Sequence, residues 1–277
     1  LAVGIVLVCT IFAALVGVSG AATVTMALVA LPSMLGHNYS KSLSLGCIAG
    51  GGALGVLIPP SVVMIVLGMY TNTSVGMLFL GGITAGLVIV ALFTIYILAV
   101  CAIWPEMGPA VPKAERASLE ERMASLKAVI LPISLIVVVL GSIVGGLATP
   151  SEAAGIGALG AILCAYSKKA LDWPTLFGSC KITLRLSCMV IWIIFAAAIF
   201  TSLYAALGAD QLVREALSWI PGGKWGVLAG MQIIWIIMGC FLDPIGIMIL
   251  TAPLFFPIAI NLGFDPVWLG VLFVVNM

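Results

Sequence analysis

Two stretches of small and helix-breaking residues carry the clearest chemical suggestion in this sequence. They are Gly17-Val18-Ser19-Gly20-Ala21-Ala22-Thr23 and Gly50-Gly51-Gly52-Ala53-Leu54-Gly55-Val56-Leu57-Ile58-Pro59-Pro60-Ser61. Each interrupts a long apolar run. Glycine and proline inside a membrane helix release backbone groups that lipid cannot satisfy, so such breaks occur where the backbone is buried in protein or lines a cavity. Half-helix C-termini then present bare carbonyls, which suit Na⁺. Half-helix N-termini, expected near Ser19 and Pro60, present bare N–H groups, which suit a carboxylate. Close packing of small residues is the competing explanation. Two breaks in such near succession favour a binding site.

Asp243 is the other candidate, within Cys240-Phe241-Leu242-Asp243-Pro244. A carboxylate at membrane depth is a functional candidate by default. Asp followed by Pro is also a helix start, and the two roles are compatible. Thr149-Pro150-Ser151-Glu152 reads as a capping box and Asp265-Pro266 as a cap, both structural. Asp210 and Arg214 have helical spacing and read as a solvated pair. His37 reads as a surface residue. Trp104, Trp173, Trp219 and Trp225 fall near expected helix ends, as interfacial anchors do. Thr23 and Thr25 are open between back-bonding within a helix and ligating an ion.

The elements that must position these residues are membrane helices. Of 277 residues, 63% are hydrophobic and 8% charged, and the mean hydropathy is +1.32. Soluble domains carry about 25% charged residues, so lipid is the solvent for most of this surface. A net charge of +1 gives no footprint for nucleic acid. The seven cysteines form no CxxC pair and there is one His, which argues against a metal cluster or a Cys/His nucleophile. Disulfides are not expected.

A span needs about 20 mostly apolar residues. On that rule residues 1–36 form a first hairpin unit and 42–70 a helix broken at Pro59-Pro60. Spans follow at 75–104, 128–147, 150–167 and 187–206, with interfacial amphipathic segments at 105–127 and 168–186. Residues 225–262 form a second hairpin unit broken at Asp243-Pro244, and 266–277 begin a further helix. The expected fold is an all-α polytopic membrane protein. The chain reads as a fragment cut within the membrane region at both ends.

Counting crossings puts Lys41, Lys113, Arg116, Arg122, Lys127, Lys168, Lys169, Lys181 and Arg185 on one side and Arg214 and Lys224 on the other. Nine cations against two make the first side cytoplasmic. The same count has residues 1–36 entering and leaving from the cytoplasm, and 225–262 from outside. Two such units of opposite orientation mark inverted-topology repeats, each unit being either a re-entrant hairpin or two full spans joined by a tight turn.

Four stretches together carry a family resemblance: Ser19–Pro32, Gly50–Gly68, Ala148–Ala158 and Gly239–Val271. They resemble the large membrane subunit of TRAP transporters, the DctM-type permeases of the ion transporter superfamily, along the whole chain. The resemblance implies sodium-driven import of a small organic acid across the bacterial inner membrane by an elevator-like movement. It implies a periplasmic substrate-binding protein and a small DctQ-type membrane subunit as partners, and no cofactor. By resemblance, the hairpin tips fall at Ser19-Gly20-Ala21 and Leu242-Asp243-Pro244, and the broken helix at Gly55 to Ser61. The implied sodium-binding residues are Ser19, Gly20, Gly52, Gly55, Pro59, Ser61 and Asp243. The implied substrate-binding residues are Ser19, Ala21, Pro60, Ser61 and Asp243. The family's second Pro-Pro motif would lie just beyond Met277, so one sodium site is expected complete and its symmetry mate is not.

Three other functions were weighed. A sodium-coupled dicarboxylate carrier of the same superfamily would need no binding protein. A membrane-embedded enzyme would need paired carboxylates or His ligands at depth, and Asp243 and Glu152 are far apart in the chain. A channel would need a ring-forming filter, which nothing here resembles.

Overall fold

The structure, a computed structural model, describes residues 1–17, 19–110, 119–208 and 221–277. The described residues hold eleven α-helices. They divide into two compact units, Leu1–Val62 with Phe79–Cys164, and Val63–Leu78 with Ala165–Met277. The fold is all-α and polytopic. Among the described residues, four helices are long and apolar enough to cross a membrane: Ser19–Gly36, Val75–Ile103, Trp173–Phe200 within a longer helix, and Pro244–Asn261.

The first unit opens with α1 (Ala2–Val16) and α2 (Ser19–Gly36), which pack together as a hairpin. The turn between them is very short. Gly17 adopts a left-handed φ of 67° and donates its N–H to the Ala13 carbonyl, ending α1 as only a residue without a β-carbon does cheaply. At 15 and 18 residues the arms are about 22 and 27 Å long. The first falls well short of the ~30 Å hydrocarbon core, and the second comes close to spanning it.

Helix α3 (Lys41–Ala53) starts at Ser40, whose hydroxyl oxygen accepts from the Leu43 N–H, and it lies against both hairpin arms. Its glycines make that possible. A β-carbon on Gly51 would lie 2.7 Å from the Cys9 β-carbon, and one on Gly52 would collide with Thr23. A single 3-10 turn, Leu54–Val56, follows, and the chain resumes helix as α4 (Val62–Thr71) beyond Pro59-Pro60. Helix α5 (Val75–Ile103) has 29 residues, about 43 Å, enough to cross completely. Helices α6 (Leu119–Val144) and α7 (Pro150–Ser167) are joined by a short turn at which Thr149 and Glu152 form a reciprocal capping box. The Glu152 carboxylate accepts from the Thr149 N–H at 2.8 Å, and the Glu152 N–H donates to the Thr149 hydroxyl at 3.3 Å.

The second unit contains α4 from Val63 onward, with α8 (Trp173–Ala206), α9 (Gly223–Gly239), α10 (Pro244–Asn261) and α11 (Pro266–Val275). α10 packs on α8, α9 and α11. Its tie to α9 is the wholly buried Trp235, whose ring N–H donates to the Thr251 hydroxyl at 2.9 Å, while Thr251 donates to the Ile247 carbonyl at 2.8 Å. Phe255 and Phe273 pack on the same indole at centroid distances of 5.7 and 5.0 Å.

Two helices run across seams drawn from composition. α8 starts directly after Asp172, whose carboxylate accepts from the Thr175 N–H, and continues unbroken through the 186/187 boundary. α6 likewise runs from 119 through the 127/128 boundary. No Gly or Pro stands at either seam. A change of polarity alters where a helix sits relative to lipid, but by itself removes no backbone hydrogen bond. Residues 111–118 of the expected interfacial segment, the Asp210/Arg214 pair and Trp219 lie outside the described residues.

Candidate functional site

The first hairpin brings its tip against the break in the α3–α4 helix. A β-carbon on Gly17 would lie 2.9 Å from the Pro60 carbonyl oxygen, so the turn and the Pro-Pro segment are in direct contact. One helical turn below, a β-carbon on Gly55 would lie 2.9 Å from both the β-carbon and the carbonyl oxygen of Ala13. The 3-10 turn thus rests on the last turn of α1. Gly52 meets Thr23 in the first turns of α2. The break is gripped from both arms.

Within the break, α3 gives way through Leu57 and Ile58, whose N–H groups both donate to the Leu54 carbonyl, at 3.0 and 2.8 Å. The Pro59-Pro60 peptide is cis. Ser61 is fully buried and its hydroxyl donates to the Val56 carbonyl at 2.5 Å, fastening the start of α4 back onto the end of the 3-10 turn. Proline at 59 and 60 has no N–H to return to the helix, which is why the ladder stops here. Thr23 back-bonds within its helix, its hydroxyl donating to the Ser19 carbonyl at 2.9 Å.

Of the residues expected at this site, Gly52, Gly55, Pro60 and Ser61 come together with the hairpin, and Pro59 is buried beside them. Ser19 is half-buried at the start of α2. Gly20 and Ala21 are exposed, and a β-carbon on Gly20 would meet nothing within 4 Å. Ala13 and Gly17 were not among the expected site residues. Gly17 carried a signal, since it opens the first small-residue stretch. Ala13 carried none, because what it contributes is a backbone carbonyl.

Asp243 belongs to the second unit. It caps α10, its carboxylate accepting from the Ile245 N–H at 3.1 Å with Pro244 in the first helical position, and it is exposed. Asp265 caps α11 in the same way, accepting from the Trp268 N–H at 2.8 Å.

The chemistry available at the break is that of neutral oxygens: the carbonyls of Ala13, Val56 and Pro60 and the Ser61 hydroxyl. Hard oxygen ligands suit hard cations. Among the described residues no group of three His, Cys, Asp or Glu side chains is placed to hold a metal ion.

The DctM component of tripartite ATP-independent periplasmic transporters matches residues 1–277. The C4-dicarboxylate TRAP transporter large permease protein DctM of Pseudomonas aeruginosa is 35% identical over 285 residues, covering 100% of this chain and 64% of its own length. The protein of the same name from Vibrio cholerae is 34% identical, covering 100% of this chain and 65% of its own. The ectoine TRAP transporter large permease protein TeaC of Halomonas elongata is 32% identical, covering 98% of this chain and 63% of its own. The chain therefore spans a little under two thirds of the length of these relatives. With its hairpin, its Pro-Pro break and this match along every residue, the chain belongs to the DctM family of TRAP transporter large permeases.

Proposed function

We propose that this chain forms the core of a secondary transporter that imports a small organic acid across the bacterial inner membrane, driven by a sodium gradient and moving as an elevator. The observation that supports the reading most is the contact between the hairpin turn at Gly17 and the Pro60 carbonyl. Such a junction concentrates peptide dipoles where two half-helices end, the arrangement by which broken-helix transporters hold coupling ions and anionic substrates. The sodium ion is held by backbone carbonyls with Ser61 as their buried support. Ser19, Ala21 and Pro60 face the substrate from the half-helix N-termini. A periplasmic binding protein delivers the solute and a small membrane subunit completes the assembly. The relatives' names cover both C4-dicarboxylates and ectoine, so membership of the family leaves the individual substrate open.

The test is uptake by the intact transporter in proteoliposomes, with its binding protein, across a sodium titration. Uptake is expected to require inward sodium, and Ser61→Ala is expected to raise the sodium concentration for half-maximal rate. Uptake indifferent to sodium would remove the coupling. Uptake undiminished without the binding protein would favour the autonomous dicarboxylate carrier instead.

A further inference from the structure

An apolar groove of about 260 Å³ opens in the first unit between α1, α3 and α5, lined among others by Val6, Leu43, Gly46, Cys47, Phe93 and Ile97. Gly46 is exposed and a β-carbon there would meet nothing within 4 Å, so the groove is open above it. At its end the Ser40 N–H donates to the Met107 carbonyl at 2.9 Å, tying the start of α3 to the turn after α5. The residues adjoining that hydrogen bond carry opposite charges. Lys41 follows Ser40, Glu106 precedes Met107, and both are exposed. Trp104, 56% exposed, stands on the same turn.

The groove's depth and width restrict what fits. Lys41 stands at the start of α3, on the side that the charge distribution makes cytoplasmic. From there to Cys47 is about 9 Å of helix, within one leaflet of a hydrocarbon core of ~30 Å. A single acyl chain is narrow enough to run along it. The mouth presents both signs of charge, which suits a headgroup that also carries both. An anionic headgroup would meet Glu106 as well as Lys41.

We propose that this groove holds one acyl chain of a zwitterionic glycerophospholipid of the cytoplasmic leaflet, with its phosphate beside Lys41 and its ammonium beside Glu106. The lipid packs behind α1, on the hairpin arm whose tip meets the helix break.

The test uses the intact transporter in nanodiscs of equal parts phosphatidylethanolamine and phosphatidylglycerol, released and weighed by native mass spectrometry. One phosphatidylethanolamine is expected to remain on each large subunit. Gly46→Leu fills the open side of the groove and is expected to remove that lipid without lowering the unfolding temperature. Ser42→Leu, one helical turn earlier on the same face, is the independent variant and is expected to do the same. Glu106→Gln is expected to abolish the preference for phosphatidylethanolamine, and Lys41→Gln to lower retention of both phospholipids while leaving that preference in place. The proposal is overturned by no retained phospholipid, by retention unchanged in both groove variants, or by equal retention of the two headgroups in the unaltered protein. It is equally overturned if phospholipid appears only when the small subunit is left out, which would make the occupant a protein segment.

Discussion

A methyl group added at Gly52 would run into Thr23, whereas one added at Gly20 would meet open space. Both glycines belong to the small-residue stretches of the sequence, yet they answer to different physics. Gly52→Ala overpacks the seam between α3 and α2 and is expected to cost about 1–3 kcal/mol. Gly20→Ala is expected to be neutral or to stabilise by up to ~1 kcal/mol through helix propensity. Thermal unfolding of the purified variants separates the two, and equal effects would mean that α3 does not lie against α2 as described. Ser61→Ala leaves the Val56 carbonyl buried without its hydroxyl partner, a loss of about 1–3 kcal/mol in the same measurement. Outside the membrane, Asp172 offers a pH-dependent case. Hydrogen bonds from the Thr175 hydroxyl and backbone N–H hold its carboxyl below the ordinary aspartate value. A lowered folded-state pKa contributes stability that is present above the unfolded value and is lost as pH falls through the folded one. The protection of the Thr175 amide against exchange, relative to its intrinsic rate at each pH, is therefore expected to fall on acidification below the ordinary carboxylate range, and Asp172→Asn is expected to flatten that dependence while keeping the cap.

At the scale of elements, the hairpin, the broken helix and the capped starts at Glu152, Asp243 and Asp265 were legible in the sequence. Each depends on residue types that act locally: Gly that permits a left-handed turn, Pro that ends a ladder, Asp or Glu that binds free N–H groups. What was not legible is which backbone oxygen faces which turn. The Ala13 and Pro60 carbonyls are the same atoms in every residue, and only the docking of α1 on α3 selects them. The continuity of α8 through 186/187 was hidden for a related reason, since composition reports the solvent around a helix and not its hydrogen bonds. The second hairpin adds a device that no motif announced, the Trp235 ring N–H bonded to Thr251 across its two arms. Trp235→Phe preserves most of the ring contacts with Phe255 and Phe273 but removes the donor, and about 1 kcal/mol of stability is expected to go with it. Trp235→Ala empties a buried site and is expected to cost about 3–5 kcal/mol. If the two variants melt together, the aromatic packing contributes little and the hairpin is held elsewhere.

At the scale of the molecule, the inverted relation of the two hairpins is a statement about sides of the membrane, and charge is what carries it. The nine cations assigned to one side and the two assigned to the other come from loops whose placement follows from counting spans. If the hairpins are inverted repeats, the base of the first opens to the cytoplasm at Lys41 and the base of the second opens outward at Lys224. Both side chains are exposed at helix starts, so each position accepts a cysteine without disturbing a core. In the intact transporter with its native cysteines replaced, a membrane-impermeant maleimide added to whole spheroplasts is expected to label Lys224→Cys and to spare Lys41→Cys until the membrane is opened. Two cysteines labelled from the same side would leave two hairpins of equal orientation. Half-helix dipoles from the two units would then point the same way along the membrane normal, and a single site could not be approached alternately from both sides by moving one rigid body. The elevator would lose its geometric basis, while the contact between Gly17 and Pro60 within the first unit would stand.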